Sequence, residues 1–238
     1  MRLKTDSIQL KRLWWLHLEN KKIIYYEQLD STNTKLQELA REGALHGTAV
    51  SADMQTAGKG RRGRSWESPA GTNIYMSVLL RPSFETGKAP MVTLVMAYSV
   101  AKTLHQFGFS DAKIKWPNDI VISGKKVCGI LTEMELDGMK ISSVIVGVGI
   151  NANVETFPEE LQDKATSLYL EKGEKIERKV LMEALLERFE KDYNRFAKMG
   201  DLTFLQEEYN QMLVNCNAEV RVLEPGNEYM ARALGINE

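Results

Sequence analysis

QTAGKGRRGRSWESPAGTNIYMS, Gln55 to Ser77, is the stretch whose reading decides the fold. Between Gly58 and Arg64 it sets three glycines and four cations in seven positions. Glycines leave backbone N–H groups uncovered, and the flanking guanidinium and ammonium groups add charged donors, so the loop suits an anion of the phosphate type. Its glycines read literally as Gly58-x-Gly60-x-x-Gly63, the dinucleotide-binding spacing, which needs a strand before it and a helix directly after. Arg64-Ser65-Trp66 runs instead into Glu67, Ser68, Pro69 and Gly71, which cannot open that helix. A Walker loop also fails, because Asp53 stands at its first glycine and Gly60 at its Ser/Thr. A solvated basic surface loop remains the plain alternative to a binding loop.

Outward from this loop, the patterning predicts strands at Ile23 to Glu27, Thr48 to Met54 and Asn73 to Leu80. Asp30-Ser31 gives an N-cap signal for a helix with Leu36, Leu39 and Ala40 on one face, ending at Gly43. Met91 to Phe107, behind Pro90, is a largely apolar buried helix. Ile114 to Trp116 and Asp119 to Ile122 are strand-like, and the turn pairs Ser123-Gly124 and Asp137-Gly138 make Val127 to Leu136 and Lys140 to Val148 hairpin partners. Helices follow at Arg178 to Lys198 and Leu202 to Leu213, then a strand at Ala218 to Leu223 turned by Pro225-Gly226. Trp14 and Trp15 read as an apolar anchor for the first residues. Strands grouped with helices alongside indicate an α+β domain with a mixed sheet. The expected division is an extension over 1–22, a main domain over 23–214 and a small β segment over 215–238.

Composition removes several function classes. Formal net charge is −1, so the chain has no global footprint for nucleic acid or membrane. Two cysteines and three histidines in no ligand spacing argue against a zinc site or a disulfide framework. No segment has the apolar length of a membrane span, and the charged N-terminus does not read as a signal peptide, so the expected setting is cytoplasmic.

Three further segments carry chemistry. Lys115-Trp116-Pro117-Asn118-Asp119 sets a cation and a carboxylate either side of a proline turn; alone it reads as a strand break with Trp116 in the core. Lys125-Lys126-Val127-Cys128-Gly129 opens a strand with lysines, and Gly129 leaves room beside the backbone, as in any charged hairpin. Val146-Gly147-Val148-Gly149-Ile150-Asn151 ends a buried strand in two glycines and an amide, which suits either a β-bulge or close ligand approach.

GKGRRGRSWESPAGTNIYMS, KWPNDI, KVCGILTE and VGVGIN occur together and in this order, and the combination resembles the biotin protein ligase family from Asp30-Ser31-Thr32-Asn33 to Asn151. The resemblance implies a class II synthetase-like mixed sheet flanked by helices, followed by a small SH3-like barrel. It implies substrates biotin and ATP, with Mg²⁺, and a biotin carboxyl carrier domain as acceptor; the family is often dimeric. Biotin's carboxylate attacks the α-phosphate, giving biotinoyl-AMP, and an acceptor lysine then takes the biotinoyl group. Ser31, Thr32, Asn33 and Gln55 would line the pocket for the biotin ring. Arg61 would meet the carboxylate and the adenylate phosphate, with Lys59 and Gly60 alongside and Lys126 opposite; Arg61 and Lys126 are the catalytic candidates. Trp66 would stack on adenine, Asn118 and Asn151 would meet the nucleotide, Arg64 and Lys115 would contact phosphate, and Gly129 would admit the ligand to the backbone. No metal-ligating side chain is assigned.

Two departures qualify the resemblance. About twenty residues precede the first strand, too few for the family's winged helix-turn-helix, so no operator binding is expected. After Glu219 to Leu223 only Glu224 to Glu238 remain, so the barrel is expected to be incomplete. The competing readings are a lipoate ligase of the same fold and a non-enzymatic biotin or nucleotide sensor.

Overall fold

The computed structural model describes residues 23–224 and 226–237. The anchor expected of Trp14 and Trp15 and the turn expected at Pro225 lie outside them. Seven strands form one mixed sheet: β1 (Ile23–Leu29), β2 (Ala49–Gln55), β3 (Ile74–Leu80), β4 (Lys113–Lys115), β5 (Asp119–Ile122), β6 (Lys125–Asp137) and β7 (Lys140–Ile150), in spatial order β1-β2-β3-β7-β6-β5-β4. Only β1 and β2 are parallel; helix α1 (Thr32–Arg41) makes their crossover. All other neighbours are antiparallel. The β5–β6 turn works because Ser123 and Gly124 both take positive φ, 51° and 78°, the conformation that fits a two-residue turn to strand twist.

Period-2 alternation divides the sheet into two unequal faces. Ile74, Met76, Val78 and Leu80 of β3 and Val144, Val146, Val148 and Ile150 of β7 point into the main core. That core is closed by α2 (Met91–Gln106), α5 (Arg178–Met199) and α6 (Thr203–Met212). Helix α5 contributes Leu181, Leu185, Phe189 and Phe196 from one stripe and ends at Gly200, whose left-handed φ of 78° lets its N–H bond the Phe196 carbonyl at 2.7 Å. Between these helices the buried Asp192 accepts from Arg188 Nε at 2.7 Å and from Ser99 Oγ at 2.9 Å, which satisfies the charge. On the other face, among the described residues, α1 is the helix that packs, with Leu36 and Ala40 against Val50, Leu79 and Ile145. The rest of that face is left for the cleft described below.

Two short helices, α3 (Glu159–Gln162) and α4 (Leu168–Lys172), interrupt a stretch for which the sequence predicts no element. Trp116, expected in the core, is 56% exposed beside the cis Trp116–Pro117 bond. Strands β8 (Glu219–Glu224) and β9 (Asn227–Arg232) form a separate antiparallel pair. Among the described residues no helix is long and apolar enough to cross a membrane.

Cys128 is fully buried on β6, and desolvation pushes its thiol pKa up, whereas Cys216 is part-exposed. A thiol reagent should therefore modify one cysteine quickly in the native chain, Cys216, and Cys128 only on denaturation. Fast modification of both would contradict the packing of β6 against α2.

Candidate active site

The α1 face of the sheet carries one cleft. Its floor is the backbone of β6 and β7 and its back wall is the first turn of α1. Its outer wall is the Gly-Arg loop. Ser31, Thr32, Asn33, Gln55, Lys59, Gly60, Arg61, Trp66, Asn118, Lys126 and Gly129 all line it, so the structure brings together eleven residues drawn from four separate segments of the sequence. Arg64, Lys115 and Asn151 do not line it.

Helix α1 begins at the cleft because Ser31, its N-cap, is extended (φ −155°, ψ 136°). The Ser31 hydroxyl makes no capping bond, although the N-cap signal led one to expect it; Asp30 Oδ1 accepts the Ser31 N–H at 2.6 Å instead. The hydroxyl is thus left to the cleft. Next to it Thr32 donates its backbone N–H to Gln55 Oε1 at 2.8 Å, and Gln55 Nε2 donates to Ser68 Oγ at 2.9 Å. These bonds tie α1 to the end of β2 and to the far side of the Gly-Arg loop. Asn33 is buried, and its amide donates to Glu133 Oε2 at 2.6 Å and to the Leu131 carbonyl at 3.3 Å, while its Oδ1 accepts from Ser77 Oγ at 2.6 Å.

The glycines of β6 and β7 make this packing possible. Gly129 pairs with Gly149 and Leu131 with Gly147, in unbroken register. A β-bulge is therefore absent from the Gly147–Gly149 segment; the only register shift in this pair lies at Glu135/Leu136. A Cβ on Gly147 would stand 2.2 Å from Asn33 Oδ1, and one on Gly149 2.6 Å from the Trp66 indole. One on Gly129 would stand 2.9 Å from the same indole. Side chains of the chain itself, Asn33 and Trp66, thus take the space that the two glycines of β7 and Gly129 leave open.

The loop Gly58 to Trp66 is a small closed hairpin. Trp66 N–H bonds the Gly58 carbonyl at 2.8 Å, and Gly60 N–H bonds the Arg64 carbonyl at 2.7 Å. Arg61 points inward and donates from Nη1 to Asn118 Oδ1 at 2.8 Å; Asn118 in turn donates to the Ile130 carbonyl at 3.0 Å. Lys126 Nζ lies 2.7 Å from Asp119 Oδ1 and 5.1 Å from the centre of the Trp66 ring. Two of the three cations that line the cleft, Arg61 and Lys126, are thus held by consecutive residues of the KWPND turn, Asn118 and Asp119. With these contacts made, the free volume is about 50 Å³, room for a few waters only.

Asn151 has a supporting position. Its Nδ2 donates to the Thr166 carbonyl at 3.1 Å, and the 164–166 segment brackets the Lys126 backbone through Lys126 N–H to Lys164 O (2.8 Å) and Thr166 N–H to Lys126 O (2.9 Å). Lys115 projects from exposed β4, and Arg64 is exposed on the outside of the loop. No role was legible in the sequence for Ser77, Tyr75 or Glu133, and Asp119 reads there only as the carboxylate of the KWPND turn. Ser77 had a usable signal, a hydroxyl amid the apolar run Ile74 to Leu80, and Glu133 stood at the end of KVCGILTE. Among the described residues no group of three or more His, Cys, Asp or Glu side chains is placed to hold a metal.

Gly147→Ala should drive Asn33 out of its bonds with Ser77 and Glu133 and destabilise the chain by about 1–3 kcal/mol. Chemical denaturation of the variant checks this; an unchanged midpoint would contradict the close approach.

The model of the biotin/lipoate A/B protein ligase family matches residues 25–151, the part that carries the whole cleft. The bifunctional ligase/repressor BirA of Bacillus subtilis is 41% identical over 220 residues, 91% of this chain and 67% of that protein. The biotin–[acetyl-CoA-carboxylase] ligase of Paracoccus denitrificans is 41% identical over 125 residues, 51% of each chain. Among solved structures, the biotin protein ligase of Aquifex aeolicus in complex with biotin and ATP superposes with a TM-score of 0.79 at 32% identity, covering 91% of this chain and 88% of that one. The chain belongs to the biotin/lipoate A/B protein ligase family, as one of its biotin protein ligase members.

Proposed function

We propose that this chain is an ATP-dependent biotin protein ligase that forms biotinoyl-5'-AMP and transfers biotin to a lysine of a biotin carboxyl carrier domain. The observation that carries this reading is the convergence, in one cleft, of a neutral polar pocket and two restrained cations. Ser31, Thr32, Asn33 and Gln55 supply hydroxyls and amides suited to a neutral ureido ring, and Lys59, Arg61 and Lys126 stand beside them.

The chemistry needs this pairing. A carboxylate must approach the α-phosphorus of a polyanion, and the two repel. Arg61, in our reading, exchanges Asn118 for the carboxylate and the α-phosphate, and Lys126 neutralises the same centre from the other side. Because Asn118 and Asp119 already hold both cations, little side-chain entropy remains to be lost when the anion arrives. The carboxylate oxygen bonds to phosphorus as the bond to pyrophosphate breaks. In the second step the acceptor amine bonds to the acyl carbon, loses a proton, and AMP leaves. Mg²⁺ comes with ATP as part of the substrate, since it is commonly held largely by phosphate oxygens. We assign Trp66 to adenine once it leaves Gly129 and Gly149, Asn118 to the nucleotide, and Lys115 and Arg64 to outer phosphate contacts. Asn151 acts by holding the segment that brackets Lys126.

Among the described residues no strand pairs with the outer edge of β6 beyond Gly129, and Trp116 and Met134 are exposed beside it. An apolar hollow of about 490 Å³, reaching Arg61, opens there. We place the acceptor domain on this edge, within reach of the adenylate; two copies of the chain would pair into a homodimer through the same backbone groups. We read β8 and β9 as the first strands of the small C-terminal barrel, and the cytoplasm as the setting.

Biotin-dependent ATP–pyrophosphate exchange by the purified chain tests the first step. Exchange with biotin and none with lipoate is expected; lipoate-dependent exchange, or biotin binding without exchange, would overturn the reading. Arg61→Ala should lower kcat/KM for exchange at least a hundredfold while leaving the melting temperature unchanged, since Arg61 is an exposed loop residue.

A further inference from the structure

Asn33 is wired on three sides, and the wiring has a direction. A carboxylate accepts hydrogen bonds and donates none, a primary amide does both, and a hydroxyl has one proton. Glu133 Oε2, 2.6 Å from Asn33 Nδ2, therefore requires the NH₂ end of the amide; the Leu131 carbonyl at 3.3 Å asks for the same end more weakly. Asn33 Oδ1 is then turned to Ser77, whose proton it takes at 2.6 Å. With that proton committed, the 2.8 Å contact between Ser77 Oγ and Thr32 Oγ1 can be filled only by the Thr32 proton. Gln55 Oε1, 3.1 Å from Thr32 Oγ1, already accepts the Thr32 backbone N–H at 2.8 Å. Thr32, which lines the cleft, is left with lone pairs only to offer a ligand.

Burial makes this order matter. Thr32, Asn33 and Ser77 are all buried, Ser77 completely, so a mismatched donor or acceptor there has no water to turn to. Gly147 completes the device: with no Cβ it lets Asn33 Oδ1 lie against β7. Glu133 does not line the cleft and stands behind Asn33, on the strand that carries Leu131 and Gly129.

We propose that Glu133 is a positioning residue that sets the hydrogen-bond polarity of the ring pocket, through Asn33 and Ser77, so that Thr32 presents an acceptor to a ureido N–H of biotin. The inference deepens the biotin ligase reading and rests on it. It makes specificity for the ureido group depend on a carboxylate three hydrogen bonds away from Thr32.

The test is a cycle of enzyme and ligand. Pyrophosphate exchange is measured for the parent chain, Glu133→Leu and Glu133→Gln, each with biotin and with a cyclic carbamate analogue in which one ureido N–H is replaced by oxygen. The parent should favour biotin over the carbamate by about tenfold or more. Glu133→Leu should raise KM for biotin about tenfold, leave kcat and the ATP KM within about threefold, and reduce the biotin–carbamate preference to within about threefold. Glu133→Gln, which can still present an oxygen to Asn33, should keep the parent's preference. An activity-independent readout follows from the same wiring. In the ligand-free chain, the side-chain amide protons of Asn33 should exchange slowly with solvent in the parent and E133Q, and quickly in E133L. Equal discrimination by the parent and E133L, or an unaltered Asn33 amide, would overturn the proposal. Absence of biotin-dependent exchange in the parent itself would instead remove the ligase reading, and this inference with it.

Discussion

The cleft depends on the bare backbone of two neighbouring strands. Gly129 and Gly149 face each other across β6 and β7, and Gly147 lies two residues along the same face. Wherever a side chain stood at these positions, it would collide with Asn33 or with Trp66 at less than 3.0 Å. Glycine in a strand interior weakens a sheet, and three on one face would be costly without a reason. Here the reason is that helix α1 and the Gly-Arg loop must both reach the sheet surface. The opposite face of β7, with Val144, Val146, Val148 and Ile150 in the main core, provides the packing that keeps the strand in place. One face of the sheet carries stability, and the other is free to carry the site.

A second restraint follows from the first. With Trp66 seated on the glycines, the loop behind it closes as a hairpin and turns Arg61 toward the KWPND segment. That segment then holds both inward cations, Arg61 through Asn118 and Lys126 through Asp119. Two like charges at one site repel, and neutral or anionic neighbours at 2.8 and 2.7 Å offset this until a ligand anion replaces them. The cleft thus holds Arg61 and Lys126 on partners of the chain itself. In the function we propose, binding exchanges these internal contacts for contacts with the ligand.

The sequence made some of this legible and hid the rest for physical reasons. The strands, the apolar α2 and the Ser123-Gly124 turn follow from local patterns, because periodicity and positive-φ chemistry act within a few residues. The Gly-Arg loop was legible as a binding element only in the company of KWPNDI, KVCGILTE and VGVGIN, because its composition alone fits a solvated basic loop as well. What could not be read locally is which side chain occupies which space. Gly129 and the glycines of β7 signal close approach, but their distant partners, Trp66 and Asn33, are fixed by register across three strands and by the entry angle of α1. Trp116 is apolar yet 56% exposed, on the turn between β4 and β5 beside an open hollow, which an apolar residue next to a strand does not signal. Asn151, read as a nucleotide contact, bonds the Thr166 carbonyl in the ligand-free chain, and Glu133 closes the KVCGILTE motif without a role that local pattern could give it, because its partner is a buried amide a hundred residues earlier.

The central claim is that the glycine floor, the Gly-Arg loop and the two restrained cations together make and keep one adenylate. Native mass spectrometry of the chain after incubation with biotin and MgATP tests it most directly. The account predicts one tightly retained biotinoyl-AMP per parent chain, and none on a folded Gly149→Val variant, whose side chain would fill the cleft floor that the adenylate must lie against. Retention of the adenylate by that variant at the parent's level would contradict it.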